Sequence, residues 1–191
     1  MGALLAFAPF IGFALVEKML GIVPGLCVGT LISVALLARD RLQGRREINL
    51  LEAGSAVMFA ALALLAIARG GDAWSLWQVR LWVDSGLLLL VLAGLIAKRP
   101  FTLHHARRRV SPEVAGSASF LRNNIVLSSV WTLCFAVLVA ADLLMVLRPQ
   151  TPVRLAIVLT VAALLAAARF TTSYATRMRR EVDGGWSGRG R

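Results

Sequence analysis

Residues 124–147 read NIVLSSVWTLCFAVLVAADLLMVL, a run whose one charged residue is Asp142. As a helix it would be about 36 Å long at a rise of 1.5 Å per residue. The hydrocarbon core of a bilayer is about 30 Å thick. A soluble domain has no use for an apolar helix of that length, so this stretch reads as a membrane span.

The same reading extends outward in both directions. Arg148-Pro149-Gln150 turns the chain, and residues 155–170 form another apolar run. Toward the N-terminus lie runs at 81–97, 48–68, 19–38 and 2–16. The chain has 191 residues, of which 58% are hydrophobic, and a mean hydropathy of +0.74. Soluble domains run near 45–50% apolar. The expected fold is all-α: a polytopic helical membrane protein with about six transmembrane helices arranged as three hairpins. The first run is short and interrupted by Pro9 and Gly12, so the number falls to five if it is re-entrant. Residues 1–178 are expected to form one transmembrane domain. Residues 179–191, basic and Gly-rich, have little to bury and are expected to be a disordered tail.

Charge gives the orientation. The chain carries 21 Lys and Arg against 10 Asp and Glu, a formal net charge of +11. The connectors 39–47, 98–123 and 169–191 hold four, six and six of the basic residues; the alternate connectors hold one, two and two. Alternating spans bring the three rich connectors to one face, which the positive-inside rule makes cytoplasmic. The expected location is a bacterial inner membrane, with the C-terminus and, for six spans, the N-terminus in the cytoplasm. Trp74, Trp77 and Trp82 cluster at the other face, as an interfacial belt does. MGALLAFAPF lacks the basic n-region of a secretory signal, so the first run is expected to persist.

Residues 98–110, KRPFTLHHARRRV, are the densest basic stretch. Pro100 stops the helix before it. Leu103, Ala106 and Val110 then fall on one helical face, the pattern of a helix lying on a membrane surface. Lys98, Arg99, Arg107, Arg108 and Arg109 are candidate contacts for anionic lipid headgroups, which basic clusters beside a span attract. The bland alternative is a topological anchor. His104 and His105 are adjacent, so on a helix they point about 100° apart, and no third ligand stands near them, which argues against metal. No aromatic platform accompanies the arginines, which argues against nucleic acid. Ser111-Pro112-Glu113 reads as a further helix start.

Carboxylates inside a membrane are costly and mark candidate sites. Asp84 and Asp142 fall at similar depth near the cation-poor face. Arg80, Arg154 and Lys18 border the same layer, with Glu17 beside them. The five residues Asp84, Asp142, Lys18, Arg80 and Arg154 form a candidate polar layer. It is either a set of ion pairs tying hairpins together or a proton-linked or polar-solute site. Glu52 lies near Arg45 and Arg46 at the other face and reads as a solvated end residue. Gly25, Gly29 and Ser33 repeat every four residues, a small-residue face for close packing within the chain or in a homodimer. Asn123, Asn124, Ser128, Ser129 and Thr132 give the 124–147 run a polar start suited to hydrogen bonds with neighbouring helices.

Catalytic signatures are absent from the sequence: no GxSxG, no HExxH and no phosphate loop. Cys27 and Cys134 stand alone in apolar runs and suggest buried thiols. The expectation is a protein that is not an enzyme and carries no cofactor or metal.

In layout the chain resembles the intracellular septation protein A family of bacterial inner-membrane proteins, over roughly residues 3–178. The resemblance rests on Ala8-Pro9-Phe10 with the following Lys18, on Lys98-Arg99-Pro100, on Trp131, Phe135 and Asp142, and on Arg148-Pro149-Gln150. The connector 101–123 is longer than that family's pattern, and Asp142 replaces a more usual amide. The resemblance implies a role in envelope maintenance and septation, as a membrane scaffold acting through division or envelope proteins and anionic lipid. The residues alone leave a second reading open, a small-solute or lipid transporter using Asp84 and Asp142.

Overall fold

The computed structural model describes residues 7–43, 50–70, 74–98, 100, 102–103, 106 and 116–187, with side chains described as far as Arg177. Those residues contain six helices and no strand. They are α1 (Ala8–Leu20), α2 (Ile22–Leu42), α3 (Leu50–Ala68), α4 (Leu76–Ile96), α5 (Ala118–Leu147) and α6 (Val153–Ser187). Five of them, α2 to α6, are long and apolar enough to cross a membrane. The protein is thus an all-helical, polytopic membrane protein.

The helix from the first run is the short one. α1 has 13 residues, about 20 Å of helix. Pro9 sits in its first turn, where the missing N–H costs nothing. The reversal comes at Gly21, whose φ of 95° suits glycine. Glu17 and Lys18 therefore belong to α1 and not to a connector. α2 returns antiparallel along α1, so close that a Cβ on Gly25 would lie 3.0 Å from the Glu17 backbone nitrogen.

Capping sets two other boundaries. Ser75 and Gln78 form a reciprocal capping box, so α4 starts at Leu76 and takes in residues read from sequence as connector. Ser117 caps α5 by accepting from the Phe120 N–H at 3.2 Å. The start expected at Ser111 lies outside the described residues. α6 keeps helical backbone to Ser187, into the stretch read as a basic tail.

Each helix packs on the next, and α1 ties them together. Phe13 and Phe10 lie against Phe59 of α3, with ring centroids 5.8 and 5.1 Å apart. Phe7 stacks on Trp131 of α5 at 5.2 Å and meets Phe135 at 5.6 Å. Spacings of three residues put all three phenylalanines on one side of the short helix. The small-residue face of α2 is used inside the chain: Gly29 abuts Phe59, and Ser33 Oγ lies 3.3 Å from Ser55 Oγ of α3.

A candidate polar site between α4 and α5

Along α4, the buried residues Val79, Val83, Leu87 and Val91 recur every four positions, a stripe facing the bundle. α5 answers with Cys134, Phe135, Leu138, Ala141 and Asp142. Leu87 and Val91 share a core with Cys134, Phe135 and Leu138. One turn beyond that core, toward the cation-poor end, the seam changes from apolar to acidic.

There the carboxyls of Asp84 and Asp142 face each other within hydrogen-bonding reach. Asp142 is 4% exposed, and its Oδ2 is buried with no hydrogen-bond partner. Asp84 is half-buried. It sits about 12 Å along α4 from Leu76, and Asp142 about 8 Å along α5 from Leu147. The sequence expectation of equal depth thus becomes a side-chain encounter.

Arg80 precedes Asp84 by one turn on the same face. Its charge acts on Asp84, on Asp142 and also on Glu17 of α1. The guanidinium lies over the Trp77 ring, 5.7 Å from the centroid. Partial burial pushes the Glu17 carboxyl above its ordinary value, and Arg80 pulls it back down. Glu17 stands apart from the two aspartates, since no three His, Cys, Asp or Glu side chains converge among the described residues.

The remaining candidates of this layer fall elsewhere. Lys18 and Arg154 are exposed, and the charges acting on the pair are Arg80 and the two aspartates themselves. Glu17 of α1 lies against Gly25 of α2, and the charge of Arg80 reaches it there. Among the tryptophans, Trp74 carries Arg69 at 5.6 Å, Trp77 carries Arg80, and Trp82 is 58% exposed.

At the basic end, Arg99, Arg107, Arg108 and Arg109 lie outside the described residues, as do His104 and His105. Lys98 is exposed, with φ 53° where α4 ends. Thr102 and Leu103 are buried, so this part of the segment turns inward and does not lie flat. Thr102 Oγ1 donates to the Asn124 carbonyl at 3.1 Å and lies 3.0 Å from Ser128 Oγ. Thr102 carried no signal in sequence beyond its place after Pro100. The polar start of α5 divides. Tyr174 of α6 donates to Asn123 Oδ1 at 3.1 Å, while Ser129 and Thr132 bond back to their own helix. Trp131 Nε1 donates to Thr171 of α6 at 3.1 Å. Glu52 is buried at the basic end of α3, not solvated as the sequence suggests.

An open apolar cleft of about 590 Å³ runs between α3 and α4, lined by Ala53, Gly54, Val57, Gly86, Leu89 and Ala93 among others. It is separate from the acidic pair. No family model, curated protein or solved structure matches the chain.

Proposed function

We propose that this chain is a proton-linked membrane protein, a small carrier of the bacterial inner membrane, in which Asp84 and Asp142 bind and release the coupling proton. The observation that carries the reading is the meeting of two acidic side chains from different helices, one with a buried oxygen left unpartnered. Two unit charges 4 Å apart repel by about 4 kcal/mol at an effective dielectric of 20. Two carboxyls in contact relieve that repulsion by sharing a proton, and such a pair titrates as a unit. Placed at the cation-poor, outward end, the pair exchanges protons with the external side. The test is purified protein in liposomes loaded with a pH-sensitive dye, under an imposed proton gradient. Protein-dependent proton movement that Asp84→Asn and Asp142→Asn each abolish supports the reading. Movement equal to that of protein-free liposomes overturns it.

The second reading is the scaffold of envelope maintenance and septation, working through division or envelope proteins, anionic lipid or a second copy of the chain. The cleft between α3 and α4 favours it, because small residues let another helix approach closely. Stoichiometric recovery of such membrane proteins with the chain in native lipid nanodiscs would support it. Recovery of the chain without such proteins, without a second copy and without enrichment of anionic lipid would count against it.

A further inference from the structure

Two side-chain oxygens are buried without a hydrogen-bond partner among the described residues, Asp142 Oδ2 and Asn124 Oδ1. Both belong to α5. The residues are five full turns apart, so they stand on one side of the helix, separated by about 27 Å. Asp142 belongs to the acidic pair. Asn124, 3% exposed, lies at the basic end of the seam, in a cluster with the chain that follows α4. Pro100 is fully buried, and the Leu103 N–H donates to its carbonyl at 2.9 Å. That turn brings Thr102 onto α5. The protons of the cluster are all committed. Asn124 Nδ2 donates to the Phe120 carbonyl at 2.9 Å. A carbonyl only accepts, so the amide cannot be turned round, and Oδ1 is the orphan. Thr102 Oγ1 gives its single proton to the Asn124 backbone carbonyl. In the 3.0 Å contact between the two hydroxyls, Ser128 therefore donates and Thr102 accepts. What remains is acceptors: Asn124 Oδ1 and the lone pairs of Ser128 Oγ, one turn apart on the same face of α5.

We propose that Asn124 Oδ1 and Ser128 Oγ hold a buried water molecule at the basic end of the α4–α5 seam. A buried acceptor left without a donor is costly, and protein interiors satisfy such groups with ordered water. The chemistry of the cluster selects the ligand. An anion finds no donor proton there. A cation finds neutral oxygens only, in a part of the bundle where Lys98 already supplies positive charge. An apolar group leaves Oδ1 as it is. Water brings two donors to two acceptors and needs the least room. It completes the tie between the turn after α4 and the second turn of α5, through the residue whose carbonyl receives Thr102. Toward the acidic pair, this side of α5 carries Trp131, Phe135 and Leu138. The Trp131 N–H is engaged by Thr171, and Phe135 and Leu138 belong to the apolar core. About 21 Å of apolar seam thus separates Ser128 from Asp142. The inference stands without the carrier reading, since neither aspartate takes part in it.

The experiment is water-edited solid-state NMR of the isotope-labelled full chain in lipid bilayers, which reads the carbons that receive polarisation from water protons. The expected result is early transfer to Asn124 Cγ and to Ser128 Cβ, although both residues are buried. Phe135, buried on the same side of α5, should receive none, and the exposed Gln43 serves as the positive control. In Asn124→Leu the transfer to Ser128 Cβ should be lost. The Ser128 hydroxyl is still present in that variant, so the loss separates bound water from exchange of the hydroxyl proton. In Ser128→Ala, a smaller change, Asn124 Cγ should lose most of its transfer. Absence of early transfer to Asn124 Cγ in the parent overturns the proposal. So does transfer to Ser128 Cβ that persists in Asn124→Leu, or transfer to Asn124 Cγ that Ser128→Ala leaves unchanged. A shift of Asn124 Cγ on exchanging sodium for potassium, with no transfer from water, would assign the site to a cation and likewise overturn it.

Discussion

Replacing Gly25 by alanine tests how the first hairpin is held, with Gly54→Ala as its partner experiment. A Cβ at Gly25 would lie 2.8 Å from Glu17 Cβ, 3.0 Å from its nitrogen and 3.1 Å from its Cα. Two of those atoms are backbone, in a helix that cannot shift without dragging Phe10 and Phe13 off Phe59. A Cβ at Gly54 would meet only the side chain of Leu90, whose tip swings aside by changing rotamer. Both changes gain the same helix propensity, at most about 1 kcal/mol. The difference between them is therefore steric. Overpacking that the backbone must absorb costs about 1–3 kcal/mol. At about 2–4 °C per kcal/mol for a chain of this size, Gly25→Ala should lower Tm by roughly 2–12 °C relative to Gly54→Ala. The assay is thermal unfolding of both purified variants in one detergent, followed by monodispersity on size exclusion. Equal Tm values, or Gly54→Ala the less stable, would refute the close approach of α2 to α1.

Three further outcomes follow from the packing. Phe7→Ala removes the stack on Trp131 and the contact with Phe135 and should cost about 3–5 kcal/mol, as a buried aromatic does. Leu15→Ala, at a site 62% exposed, should change stability by no more than about 0.5 kcal/mol; steric-trap unfolding in bicelles reads both. Thr102→Val keeps shape but loses the hydroxyl between the Asn124 carbonyl and Ser128; a loss of about 0.5–1.5 kcal/mol in the same assay is expected. For topology, cysteines placed at the exposed Gln43 and Gln150 should label from opposite sides of intact cells, Gln150→Cys with an impermeant reagent and Gln43→Cys only after permeabilisation.

Much of the fold was legible because lipid imposes simple rules. A run such as 124–147 can only be a span, and its Pro-containing exit at 148–150 can only be a turn. The ends were less legible, since helix starts are set by single side chains: Ser75 with Gln78 draws α4 back into a stretch read as connector. The first run reads as interrupted at Pro9 and Gly12, and the five long apolar helices that follow it match the smaller of the two span numbers. Pro9 serves the first turn of α1, and Gly12 sits against Ile32 and Val28 of α2. Of the candidate site, the depth of Asp84 and Asp142 was readable from counting along helices. Their contact was not, because rotation about each helix axis is fixed by packing such as the core that Leu87 and Val91 share with Cys134, Phe135 and Leu138. For the same reason the sequence could not separate Arg80 from Lys18 and Arg154, which are exposed. One step along a helix is about 100°, enough to move a charge from the bundle to its outside.

The most direct test of the central claim is an infrared difference spectrum of the protein in lipid between acidic and alkaline pH. The account predicts a protonated-carboxyl band of the pair in the parent that moves to the frequency of an isolated carboxylic acid in both Asp84→Asn and Asp142→Asn, because a proton shared by two acids is no longer shared when either is replaced. A band that survives either substitution unchanged would contradict it, and Asp84 and Asp142 would then be two independent acids.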